Sequence, residues 1–183
     1  MKSLIKLKYY LKRIYRLTLS PEKQEKLIWN DLKKLHIEAE WKHGIYEKDK
    51  YIETVFEIHE GHRKIFYFMV YDSCFHCRVE ILEDYPVELT TELFILATHF
   101  NNLLNFGVVI VNVDSSSVEY HQKKDLLIPL LNGHEMIEQI TRHFRISKDI
   151  YSAFQRLVKE QEAPAIIIAD LIRSNEKEGD GSE

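Results

Sequence analysis

Apolar residues recur three and four positions apart at both ends of this chain and every second position in its middle. That switch of period is the main sign of where helices give way to strands. From Lys2 to Leu17, Leu4, Leu7, Leu11 and Ile14 form a helical stripe, edged by Lys8, Lys12 and Arg16 at intervals of four. Ser20-Pro21 opens the next helix, with Ser as N-cap and Pro at the first helical position, where its missing N–H costs nothing. Ile28, Leu32 and Leu35 supply its buried stripe, the helix is expected to end near His36, and Gly44 falls in the connection that follows. From Tyr51 the period is two. Ile52, Thr54, Phe56 and Ile58 share one strand face, opposite Glu53, Glu57 and His59. Gly61 turns into Lys64–Tyr71, whose unbroken run IFYFMVY predicts a strand covered on both faces. Asp72-Ser73 makes a second tight turn, after which Phe75, Cys77, Val79 and Ile81 alternate with His76, Arg78 and Glu80. Three strands with such short connections predict an antiparallel meander.

Helical spacing returns after Pro86, with Leu89, Leu93, Leu96, Phe100 and Leu103/Leu104 as a wide stripe suited to covering a sheet. Gly107 stops this helix before the strand Val108–Val113; Asp114 to Ser117 read as a turn, and Val118–Leu127 as a fifth strand. Asn132 is placed to cap a helix with Glu135 at its third position and Met136, Ile137, Ile140 and Phe144 inside. Ser147 is expected to cap a further helix through Ile150, Phe154 and Leu157, and Pro164 to begin a last one through Ile166, Ile167 and Leu171. The expected fold is α+β: a five-stranded, mainly antiparallel sheet in α-βββ-α-ββ-α order. An N-terminal amphipathic helical arm (1–19) precedes a single domain (20–173), and an acidic tail (174–183) with nothing to bury reads as disordered.

Charge sharpens this outline. The formal charge is −4, but the first twenty residues hold six bases and no acid; removing those bases leaves 19 against 29 acids, a charge of −10. An acidic body is a poor ligand for nucleic acid, which demands cations to displace condensed counterions. Attraction to an anionic membrane surface or to an acidic partner therefore falls to Lys6, Lys8, Lys12, Arg13 and Arg16. Interrupting lysines exclude a secretory signal in this arm, and one Ser with more Lys than Arg counts against a mitochondrial presequence. No apolar run reaches the roughly 18 residues of a spanning helix. Two Cys are too few for a disulfide framework, which points to a reducing, cytoplasmic setting, peripheral to the membrane if the arm binds lipid.

The element order is similar to the αβββαββα arrangement of the type III secretion chaperone-like fold, and from Pro21 to Phe144 the chain resembles the YbjN family of bacterial proteins. The most local feature of the likeness is the helix-to-strand junction HFNNLLNFGVVIVNVD (99–114), Asn-rich and closed by Gly107. The resemblance implies a small α+β domain, often a homodimer, that binds protein partners and does not catalyse. It transfers no functional residue, and the basic arm and acidic tail lie outside it.

Candidate chemistry is sparse. Cys74 and Cys77 form a CxxC pair, but in a strand residues three apart face opposite ways, so only Cys77 joins the inner face, and no second pair completes a zinc set. His59 and His62 flank a turn and read as exposed hairpin residues. His134-Glu135 begins like a zinc-protease helix, but Glu138 stands where the second His belongs. His99 and His143 read as surface or boundary residues. There is no phosphate loop, dinucleotide fingerprint or nucleophile elbow. Neither a cofactor nor a metal is expected. The expected function is a non-enzymatic protein-binding module, chaperone-like or adaptor; the alternative is membrane association through the arm.

Overall fold

The computed structural model describes residues 10, 11, 14–125 and 133–179. After helical residues 10, 11 and 14–17, the elements are α1 (Pro21–Glu38), β1 (His43–Tyr46), β2 (Tyr51–His59), β3 (His62–Tyr71), β4 (Cys74–Leu82), a 3₁₀ turn (Val87–Leu89), α2 (Thr90–Leu103), β5 (Val108–Asn112), β6 (Ser117–Asp125), α3 (Gly133–Glu160) and α4 (Pro164–Gly179). One sheet holds six strands in the order β1-β2-β3-β4-β6-β5. The outer pairs are antiparallel, with His43 opposite Thr54 and Val108 opposite His121.

The sixth strand is β1, where the sequence predicted only a connection. Its four residues, HGIY, are too few to show alternation, and Gly44 reads as a loop residue. Three other expectations change. α3 is one helix through Ser147, whose hydroxyl caps nothing but donates to the carbonyl of His143 one turn back (2.6 Å). α4 continues past Ser174 to Gly179. Ser20 precedes Pro21 as foreseen, yet its side chain makes no capping bond; its carbonyl accepts from the N–H of Gln24 instead (3.0 Å).

Residues group into two compact units. In the first (Met1–Val55, Phe66–Cys77, Lys123–Arg142), Ile28, Trp29, Leu32 and Leu35 of α1 are buried, as are Ile52, Phe68, Val70 and Phe75 of the strands. Each such side chain contributes about 1.5–3 kcal/mol on leaving water. Phe68 and Phe75 stack at 6.3 Å. Asp72 and Ser73 carry φ of 50° and 54°, the paired left-handed residues of a type I′ hairpin. The turn holds because Glu25 of α1 accepts the N–H of Ser73 (2.7 Å). On α3, Met136 and Ile140 are buried as expected, while Ile137 is exposed.

In the second unit (Phe56–Ile65, Arg78–Gln122, His143–Glu183), α2 buries Leu93, Leu96, Ala97 and Phe100, and α3 buries Ile150, Phe154 and Leu157. Phe100 and Phe154 stack at 6.0 Å. Arg156 ties α3 to α4: it donates to both carboxylate oxygens of Glu162 (2.6 and 2.8 Å) and to Asp170 (2.7 Å). Those carboxylates raise its pKa further, so the cation is permanent. Gly107 opens β5 at φ +88°, and a Cβ there would lie 2.6 Å from the His121 carbonyl oxygen and 2.7 Å from the Tyr120 ring.

Candidate protein-binding surfaces

The basic arm was the expected binding element. Lys6, Lys8, Lys12 and Arg13 lie outside the described residues. Arg16 lies within them, and it is buried at 5% exposure with its guanidinium ion-paired to Asp31 of α1. This corrects the expectation of a surface cation. The tie to α1 is this ion pair; the N–H groups of Thr18 and Leu19 close a local turn onto the Tyr15 and Arg16 carbonyls, and Leu11, Ile14 and Leu17 are exposed.

Cys74 and Cys77 are both buried. Cys74 is the first residue of β4, directly after the turn, where regular alternation has not begun. Burial pushes the Cys77 thiol far up, which keeps it protonated and unreactive. The other motif does assemble something. His59 and His62 stand 6.2 Å apart by ring centroid and 6.4 and 6.0 Å from Tyr151 of α3. With Ser152, Gln155 and Lys159 they line a polar groove of about 220 Å³. Burial raises the Tyr151 phenol, and the neighbouring Arg156 is held by its carboxylates.

His99 is exposed as expected, but His143 is wholly buried. It stacks on Tyr120 at 4.7 Å, and burial, with His121 nearby, lowers its pKa to about 3. His36 is its counterpart in the first unit. Burial lowers it to about 4, opposed by its bond to the Leu32 carbonyl (2.9 Å) and aided by His43. Both rings are neutral packing elements.

The outer faces of the strands are less covered than IFYFMVY suggested. Phe66, Phe68 and Val70 are buried, but Tyr67 and Met69 are half-buried, and Ile65 and Tyr71 are exposed. Among the described residues, continuous apolarity here goes with one buried face and one partly exposed face. In the first unit Tyr46 stacks on Tyr51 (4.3 Å, 9°) and donates to Glu53 (3.0 Å), a bond that raises the Tyr46 pKa. Tyr71 stacks flat on His76 at 4.0 Å. In the second unit Glu119 accepts from Arg78 (2.6 Å) and bonds His121. Burial works against the Glu119 charge, but these two partners hold its pKa below the ordinary value.

Two features in and just before the 99–114 junction escaped the sequence reading. The carboxamide of Asn101 donates to the Val109 carbonyl (3.0 Å) and accepts its N–H (2.7 Å), which copies the bonds of a neighbouring strand. Phe94 and Ile95, each 45% exposed, line with Thr91, Thr98 and His99 a shallow apolar groove of about 370 Å³ on the outward side of α2. The signal for the second was present: α2 is apolar on more sides than one core contact needs.

The class is thus an α+β protein built on an antiparallel sheet with helices packed against it. Among solved structures it is similar to YbjN from E. coli, a candidate transcription regulator, with a TM-score of 0.53 over 71% of this chain and 93% of that one, at 10% identity. The fold is YbjN-like, with six strands where five were expected. No family model matches the chain, and no curated protein matches it. No helix among the described residues is long and apolar enough to cross a membrane.

Proposed function

We propose that the protein is a non-enzymatic protein-binding module, an adaptor or regulator of the chaperone-like kind, whose working surface is the outward side of α2. The observation that carries this reading is the Phe94–Ile95 groove. Two large apolar side chains left half in water, rimmed by Thr91, Thr98 and His99, give a partner an apolar anchor with polar orientation. An amphipathic partner helix, with anchors three and four apart, fits such a shallow strip. The likeness to a candidate regulator is consistent with this, and the charge of −10 outside the arm argues that any regulation runs through proteins and not through nucleic acid.

The test compares the tagged chain with a Phe94→Ser/Ile95→Ser variant in capture from its native cells. Both positions face water, so the variant should keep the thermal midpoint within a few degrees. It should also lose the partner that the wild type retains. Equal recovery of every partner by both proteins would remove α2 as the working surface.

A further inference from the structure

The sheet has two outer strands, and on β1 no described side chain caps the outward edge. The register pairs Gly44 with Glu53 and Tyr46 with Tyr51, and the Val55 N–H donates to the Lys42 carbonyl (3.2 Å). Lys42, Gly44 and Tyr46 therefore spend their backbone groups on β2, and the alternation of an antiparallel ladder turns those of His43 and Ile45 outward. Among the described residues none bonds to them. An edge of this kind is a template for another strand.

We propose that β1 pairs with β1 of a second copy, antiparallel and about a two-fold axis at Gly44, which joins two sheets into one. The geometry is self-complementary, as a two-fold contact requires. With Gly44 on the axis, His43 faces the partner's Ile45 and Ile45 the partner's His43. Each pair exchanges two main-chain bonds, and every outward group of β1 is used. The strand carries no formal charge, so identical residues meet without repulsion. Two residues from the axis Lys42 comes opposite the partner's Tyr46, a cation beside an exposed aromatic ring. Gly44 suits the axis because nothing projects there; its own Tyr46 ring already covers the strand face, 3.3 Å from where a Cβ would stand. This contact is independent of the α2 groove, so either can fail alone.

Sedimentation equilibrium of the full chain should show a dimer, and Gly44→Lys should weaken it by about a hundredfold, since it sets two like charges face to face. Gly44→Glu should do the same, and an equimolar mixture of the two variants should restore association, a result only a contact centred on residue 44 gives. Gly44→Cys should form a dimer through one disulfide under mild oxidation, because directly opposed residues of a non-bonded pair lie about 4.5 Å apart by Cα, within disulfide reach. Circular dichroism confirms that each variant is folded, and the cysteine variant decides the matter if the charged ones are not. A chain that stays monomeric overturns the proposal. So does a dimer that ignores the charged substitutions and whose Gly44→Cys form does not crosslink.

Discussion

The two ends of the sheet answer the same problem differently. Both outer strands are short, both have a glycine at or just before them, and both belong to a region with a buried neutral histidine. At β5 the outward groups of Val109 are capped, since Asn101 takes both of them, and Gly107 lies hard against Tyr120 and the His121 carbonyl. At β1 no described residue bonds the outward groups of His43 and Ile45, and the atoms nearest a Cβ on Gly44 belong to the movable ring of Tyr46. A closed edge tolerates little change, whereas an open one tolerates substitution and is available for pairing. That difference gives a graded set of expectations.

The largest effect is acid unfolding, and both regions share it. His36 beside β1 and His143 beneath β6 ionise near 4 and 3 in the fold, against 6.5 for an ordinary imidazole. Above pH 6.5 both rings are neutral whether the chain is folded or not, so their contribution is complete. As pH falls below 6.5 the unfolded chain takes up protons that the folded chain refuses. Stability then drops by about 3 kcal/mol per pH unit for the pair once pH is well below 6.5, or about 6 kcal/mol by pH 4. Urea titrations between pH 7 and 4 should show this slope, and His143→Phe should halve it. A flat profile would mean that neither ring is held neutral.

Next is Gly107→Ala. The left-handed backbone and the 2.6 Å approach to a main-chain oxygen leave a methyl no room, so a loss of about 3–4 kcal/mol in urea unfolding is expected. Asn101→Ala should cost about 1–3 kcal/mol, because it leaves the Val109 N–H and carbonyl without their partner. It should also promote self-association at micromolar concentration, since it reopens β5. If light scattering shows the variant as dispersed as the wild type, then α2 closes that edge by bulk and the carboxamide is incidental.

How much of this was legible depended on how many residues carried the signal. The alternation of β4 was readable because four apolar and three polar positions agree, and Phe75, Cys77, Val79 and Ile81 are buried as it requires. Gly107 marked its own boundary because a glycine between a helical and a strand pattern has few other readings. β1 was invisible because HGIY is shorter than the period needs, and its strand state comes from pairing with β2. The single helix α3 was read as two because Ser147 fits a cap, and no local rule says that its hydroxyl will bond backward to His143 instead. Arg16, His143 and Asn101 share one cause. Each is a polar residue whose place depends on a partner distant in sequence: Asp31 at 15 residues for Arg16 and Val109 at 8 for Asn101. For His143 the partner is the Tyr120 ring on another element.

The smallest effect is the most discriminating. Gly44→Ala places a methyl 3.3 Å from Cε2 of Tyr46, the far end of a side chain, at a backbone angle open to any residue. Two terms oppose each other there. Replacing glycine in a strand removes conformational freedom from the unfolded chain, a gain of about 0.4–1 kcal/mol. Against it stands whatever the Tyr46 ring loses in moving a few tenths of an ångström from its stack on Tyr51 and its bond to Glu53. Both groups are exposed, so that loss is small, and the variant should unfold within about 1 kcal/mol of the wild type, on the stabilised side. Measured at low concentration beside Gly107→Ala, it isolates the contrast between the edges. Were Gly44→Ala to cost as much as its counterpart, the Tyr46 ring would be fixed and β1 would be as closed as β5.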